Sequence, residues 1–230
     1  MRHWFIAVAA LLLAGCREPD RVDARDYEAF WLWAGVAPQP VLDQARTIYI
    51  LDGEVRDGAV VRFTPLLARP PRLRGKQVWL VVRTDTLDWP SSAYDAVLRD
   101  LDVWGEPAGV QIDFDAKTRK LDRYAAFLRD FRKRMPARYR LSVTGLLDWS
   151  ANGDPQALRS LHDTVDDVVI QTYQGRSTIW GYERYFERMR GFPIPFRVGL
   201  VQGGRWVEPA SLRAEPNFKG YVVFLVNPRR

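Results

Sequence analysis

Eight short apolar runs, separated along 230 residues by helical patterns or turns, limit this sequence more than any other feature. They cover residues 30–36, 47–54, 76–85, 109–115, 140–147, 167–173, 196–202 and 220–226. Each has strand length and is rich in Val, Ile and aromatic residues. Between them, residues 92–104, 118–135, 155–162 and 179–190 read as helices. In the second of these, Leu121, Tyr124, Ala125, Leu128 and Phe131 follow the i, i+3, i+4, i+7 rule, and Pro136 stops the pattern. Ser91 or Ser92 is the expected cap of the first helix and Asp154 of the third, and Gly191 ends the fourth. Residues 40–45 and 209–214 hold a turn or so each. Asp57-Gly58 reads as a hairpin turn into residues 59–63, in place of a second helix. This order predicts an α/β fold: a compact closed (β/α)8 barrel of the TIM type, with some helices short or missing, as one domain over residues 27–230. An open doubly wound sheet is the alternative, but eight strands are many for it and no G-x-G-x-x-G turn is present.

Composition removes whole classes of chemistry. One Cys permits no internal disulfide and no multi-thiolate zinc site. There are two His, His3 and His162; with His3 in a cleaved leader the mature chain keeps one, which excludes three-His, two-His iron and H-E-x-x-H sites. The expectation is therefore no cofactor and no metal, with an Asp-only Mg²⁺ site from Asp52, Asp85, Asp113 and Asp115 as a weaker option. The formal charge is +6, from 34 basic residues interspersed among 28 acids. The densest basic run, residues 129–140, falls on a predicted helix and its exit and reads as a solvated face. No nucleic-acid-binding motif accompanies it, so no nucleic-acid partner is expected.

The first sixteen residues have the order of a secretory leader: Arg2, then an unbroken apolar run at 5–13 that is too short to span a bilayer. Leu13-Ala14-Gly15-Cys16 resembles the lipobox of bacterial lipoproteins. The resemblance implies removal of residues 1–15 as a signal peptide, a lipid on Cys16 and contact with a membrane through that lipid. Residues 16–26 are then a polar tether. In Gram-negative lipoproteins an Asp after the Cys commonly retains the protein at the inner membrane. Arg17 stands there instead, which points to the cell envelope at the periplasmic face of the outer membrane. A plain secretory leader with a stray Cys is the other reading.

In a barrel of this kind catalytic groups gather at the C-terminal ends of the strands. The fourth predicted strand carries Gln111, Asp113 and Asp115 on one face, and Ile112 and Phe114 on the other. Two inward carboxylates on a covered strand are costly unless used. Their Cα atoms lie roughly 6.6 Å apart along a strand, so mutual repulsion is expected to raise one pKa and give an acid catalyst. Other strands end in Asp52, in Arg83 and Asp85, near Asp148 and Trp149, in Gln171 and Tyr173, and in Gln202. Trp31 and Trp33 lie on the first strand, and Trp rings at a barrel mouth suit stacking on the C–H face of a sugar. For any single one of these, a loop cap, salt bridge or core aromatic is an equal alternative.

Residues 108–115 (AGVQIDFD), with Leu141-Ser142-Val143-Thr144 and Val169-Ile170-Gln171-Thr172-Tyr173, resemble the chitinase-like glycoside hydrolases. They resemble more closely an uncharacterised family of bacterial lipoproteins allied to them, over nearly all of the mature chain. The chitinase-like pattern on this strand is D-x-x-D-x-D-x-E. In one phase Lys117 takes the place of the terminal Glu and Val110 that of the first Asp, which removes the acid. In the other, adopted here, the resemblance makes Asp115 the general acid and Asp113 the group that steers an acetamido substituent. Gln111 and Ala108 then stand at the earlier Asp positions, and Tyr173-Gln174 matches the Tyr and following amide of the sixth strand.

The implied function is an envelope-anchored, metal-free glycoside-hydrolase-like protein acting on a polysaccharide or N-acetylated glycan, as a monomer. Asp113 and Asp115 would be its catalytic residues. Gln171, Tyr173, Asp52, Asp85, Trp33, Trp149 and Gln202 would bind the carbohydrate. A non-catalytic glycan-binding lipoprotein, or an assembly lipoprotein with an envelope protein as partner, on a degenerate barrel is the alternative.

Overall fold

The structure, a computed structural model, describes residues 20–67, 73–116, 118, 121–149 and 153–228. The leader with His3, Cys16 and Arg17, and also Lys117, lie outside the described residues. Strand β1 spans Ala29–Leu32, β2 Thr47–Val55, β3 Phe63–Pro65 and β4 Gln77–Thr84. Helix α1 (Ser91–Val103) leads to β5 (Gly109–Asp113), α2 (Leu121–Arg134) to β6 (Arg140–Leu146), and α3 (Pro155–His162) to β7 (Asp167–Gln171). A small hairpin of β8 (Tyr173–Gln174) and β9 (Ser177–Thr178) precedes α4 (Glu183–Arg188), β10 (Phe196–Val201) and β11 (Phe218–Phe224).

Eight of these strands are parallel and close on themselves in the order β1, β2, β4, β5, β6, β7, β10, β11. Closure rests on β1, which pairs with β2 on one side and β11 on the other. The fold is a (β/α)8 barrel with several of its helices reduced or replaced. A 3-10 turn at Pro40–Gln44 joins β1 to β2, and another at Leu212–Ala214 precedes β11. Strand β3, antiparallel to β2, stands where a helix would follow β2.

Alternation along the strands divides the apolar residues into two sets. Ile48, Ile50, Leu80, Val82, Val110, Ile112, Val143 and Val168 face the helices. Trp31, Tyr49, Leu51, Trp79, Val81, Val169 and Val222 fill the barrel. At the lower end Tyr49 stacks on Trp79, Arg140 lies 4.7 Å over the Trp79 ring, and Arg197 pairs with Asp167 at 3.7 Å. Helix α2 buries Leu121, Tyr124, Ala125, Leu128 and Phe131 as its spacing requires. Its last turn carries Arg132, Lys133 and Arg134, which complement the helix dipole. Asp154 caps α3 by accepting from the Ala157 amide at 2.8 Å.

Four local expectations are corrected. Helix α1 starts at Ser91, so Pro90 occupies the cap position and no serine side chain caps it. The fourth helix shrinks to six residues, Glu183–Arg188, because Gly181, at φ +74°, breaks the chain before Glu183. The hairpin after β2 is wider than a two-residue turn: Val55 pairs with Phe63, and Asp57 is held instead by its amide donating to Asp85 Oδ1 at 2.6 Å. Residues 20–26 are not a free tether. Val22 exchanges backbone hydrogen bonds with Gly203 and Gly204, and Val22 and Ala24 are buried.

One glycine fixes how closely β5 and β6 approach. A Cβ on Gly109 would lie 1.8 Å from the Arg140 carbonyl oxygen, a backbone atom that cannot swing away. Gly109→Ala is therefore expected to cost roughly 3 kcal/mol or more, by forcing the two strands apart at the end of the barrel away from the mouth. Urea unfolding of the two proteins measures this; a loss under about 0.5 kcal/mol, the size of an ordinary surface substitution, would contradict the packing described.

Candidate functional site

At the C-terminal ends of the strands the barrel opens into a cavity of about 700 Å³. One wall is aromatic. Trp31 and Trp33 lie 5.1 Å apart, Phe224 stacks on Trp31 at 5.1 Å, and Tyr173 meets Phe224 at 5.1 Å. Trp31 is fixed from below: its Nε1 donates to Gln111 Oε1 at 2.7 Å, and Gln111 Nε2 donates to Ser142 Oγ at 3.0 Å. This fully buried relay satisfies a glutamine that would otherwise be costly inside a barrel.

The opposite wall is charged. Register places Arg83 of β4 beside Asp113 of β5. The Arg83 guanidinium lies 3.7 Å from Asp113 Oδ2, 3.9 Å from Asp115 Oδ2 and 4.8 Å from the centre of the Trp33 ring. Asp113 is buried and accepts from Thr144 Oγ1 at 2.7 Å. Asp115 lies past the end of β5, with its side chain 67% exposed at the rim. Burial pushes the Asp113 carboxyl up to about 6; Thr144 and Arg83 pull against that rise, and Asp115 adds to it. Repulsion within the carboxylate pair, the cause expected from the spacing, is the smaller effect. Desolvation of Asp113 is the larger cause. Burial also pushes the Tyr173 hydroxyl well above its ordinary value, so it remains a neutral donor at physiological pH.

Of the residues singled out from the sequence, Asp113, Asp115, Gln171, Tyr173 and Trp33 line this cavity together. Four others are elsewhere. Trp149 is fully buried between barrel and helices, where its Nε1 donates to the Ala116 carbonyl at 2.7 Å and its ring meets Tyr124. Its apolar bulk is better satisfied there than at an open mouth. Asp52 falls at a register shift between Leu51 and Gly53, and it accepts from Trp104 Nε1 at 3.1 Å. Burial, with Asp100 nearby, raises its carboxyl to about 7. Asp85 holds the Asp57 amide, and Gln202 exchanges hydrogen bonds with Gln39 and accepts from the Val226 amide. Both brace loops and do not line the cavity. Asp52, Asp85, Asp113 and Asp115 therefore do not converge, and among the described residues no cluster of three or more His, Cys, Asp or Glu is placed to hold a metal ion.

The cavity also contains residues not selected from the sequence. Phe224 could have been found, since it continues the inward alternation of Val222. Arg176 and Asn227 sit in loops, where no periodicity marks them; Arg176 Nη2 donates to the Asn227 carbonyl at 2.6 Å and joins the hairpin to the chain after β11.

Residues 88–181, which include α1, β5 and the candidate carboxylates, match the model of a family described as a domain of unknown function, DUF3142. No curated protein matches the sequence. Among solved structures, the spore cortex-lytic enzyme SleL of Bacillus cereus aligns with a TM-score of 0.52 and 16% identity, covering 75% of this chain and 51% of that one. This chain thus spans about half the length of that enzyme. The tamarind chitinase-like lectin aligns at 0.52 and 12% identity, over 85% and 94% of the two chains. A class V chitinase from Nicotiana tobaccum gives 0.52 and 12%, over 76% and 66%. The barrel has the fold of the chitinase-like glycoside hydrolases.

The raised pKa of Asp113 has a consequence for stability. The folded protein holds this proton more tightly than the unfolded chain, so the group's contribution to stability is lost as pH rises from about 4 through about 6. Asparagine has no such dependence. Relative to wild type, Asp113→Asn is expected to gain stability between pH 4 and pH 7, on the order of 1–3 kcal/mol. Paired denaturant titrations across that range test this, and a constant difference would show that Asp113 titrates as an ordinary carboxyl.

Proposed function

We propose that this protein acts on a carbohydrate chain at the barrel mouth as a carboxylate-dependent glycoside hydrolase, anchored through a lipid on Cys16 to the bacterial cell envelope, at the periplasmic face of the outer membrane. The observation that carries the reading is the pairing of an aromatic wall with Asp113, Asp115 and Arg83 across one cavity. The rings of Trp33, Phe224 and Tyr173 offer flat apolar faces to a sugar, while Gln171 and the Tyr173 hydroxyl supply hydrogen bonds. Asp115, at the rim, meets the glycosidic oxygen and delivers a proton to it as its bond to the sugar carbon breaks, and water adds to that carbon and returns a proton to the carboxylate. Asp113 holds a proton to about pH 6 one step deeper in the strand, and its state sets the charge around Arg83. The similar structures include a chitinase from Nicotiana tobaccum in complex with NAG4, which supports an N-acetylated glycan as the first class to try.

A non-catalytic, glycan-binding role is the second reading, and one contact favours it. Arg83 reaches both carboxylates, so a cation competes with the proton that an acid catalyst needs. The lectin among the similar structures is consistent with that role.

Release of reducing ends from a panel of N-acetylated envelope glycans separates the two. The hydrolase reading expects activity that falls as pH rises through about 6, and a loss of roughly 100-fold or more in Asp115→Asn and in Asp113→Asn. Glycan binding that is equal in all three proteins, with no release by any, would establish the binding role instead.

A further inference from the structure

One edge of the barrel mouth carries an exposed indole that the cavity does not use. Trp180 is 86% exposed, more than any other large apolar residue among those described. With Gly181, Arg184, Tyr185 and Arg188 it lines a shallow depression of about 220 Å³, and no carboxylate lines it. The Arg184 guanidinium lies 5.5 Å from the Trp180 ring centre. Glu183 and Glu187 lie on the same helix but outside the depression. An indole held in water beside two guanidiniums suits a partner with an apolar interior beneath an anionic surface.

The chain enters the structure at the same edge. The Trp206 amide donates to the Asp20 carbonyl at 2.7 Å, and the Val22 amide to that of Gly204 at 2.9 Å, so the first described residues run along the segment that follows β10. The Trp206 ring stacks on Tyr182 at 4.6 Å, two residues from Trp180. From Cys16 to Asp20 is four residue steps, at most about 14 Å of extended chain. An anchor on Cys16 therefore cannot be far from Trp180.

We propose that Trp180, Arg184 and Arg188 form a docking surface that seats the barrel on an anionic phospholipid bilayer, with the indole at headgroup level and the guanidiniums on lipid phosphates. The proposal rests on the anchoring of Cys16 given above and is independent of the glycan chemistry. Because Arg176 of the adjoining hairpin lines the cavity, docking at this edge brings the cavity rim beside the bilayer.

The test uses the full chain, matured in a lipidating bacterium and reconstituted in vesicles whose acyl chains carry bromine, a short-range quencher of tryptophan. Wild type is expected to be quenched in phosphatidylglycerol-containing vesicles and much less in phosphatidylcholine alone. Trp180→Phe should lose most of the quenching, and Arg184→Gln with Arg188→Gln should weaken docking about 25-fold, at about five-fold per arginine near an anionic surface. Equal quenching of wild type and Trp180→Phe, or quenching indifferent to lipid charge, would overturn the proposal. The mass of the N-terminal peptide reports the lipid on Cys16 separately; a chain without it refutes the anchor, and docking is then decided by the same quenching of the unanchored protein. A Trp180 signal that answers to soluble polygalacturonate and not to vesicles would make the surface a polysaccharide site and sink the bilayer proposal.

Discussion

Closure of the sheet by β1 is the contact on which the rest of the molecule depends. Four residues, Ala29–Leu32, pair with β2 on one side and β11 on the other. Without them the sheet has two open edges, and an edge presents unpaired amides and carbonyls. The same strand brings Trp31 into the barrel and aims Trp33 at the mouth, across from Asp113. The aromatic wall and the charged wall belong to opposite sides of the cylinder, and only closure brings them to a common cavity. The buried relay from Trp31 through Gln111 to Ser142 links those sides a second time, beneath the cavity floor.

The electrostatics of the mouth follow from depth more than from pairing. Asp113 ends β5 and Asp115 lies two residues beyond it, yet one is enclosed and the other meets water. Enclosure is what keeps a proton on Asp113 to about pH 6. Arg83 works against it, and its contact with the Trp33 ring ties the charged wall to the aromatic one. A change at Arg83 would therefore be felt at both walls.

Much of this was legible in the sequence where the physics is periodic. Alternation along residues 111–115 set Gln111, Asp113 and Asp115 on one face, and the barrel brings that face to its interior and mouth. The helical spacing of 118–135 gave the buried face of α2. Periodicity ends where pairing ends, and there the reading failed. Asp52 was turned aside by a register shift between Leu51 and Gly53, which no alternation pattern announces. Trp149 follows the last residue of β6, where nothing in the chain distinguishes a ring that enters the helical layer from one that faces solvent. The helix expected from residue 179 begins only at Glu183 because Gly181 accepts a left-handed conformation, a property of the folded loop and not of the apolar pattern.

The packed lower half of the barrel has a geometric consequence for any polymer that enters. Tyr49, Trp79, Arg140, Arg197 and Asp167 fill the end away from the mouth, and Gln111 with Trp31 closes the level above it. The cavity is thus a cul-de-sac with one doorway. A long chain cannot be threaded through the barrel and must either present a terminus to the cavity or lie across its opening. Whatever enters leaves by the same door, so release competes directly with the next arrival.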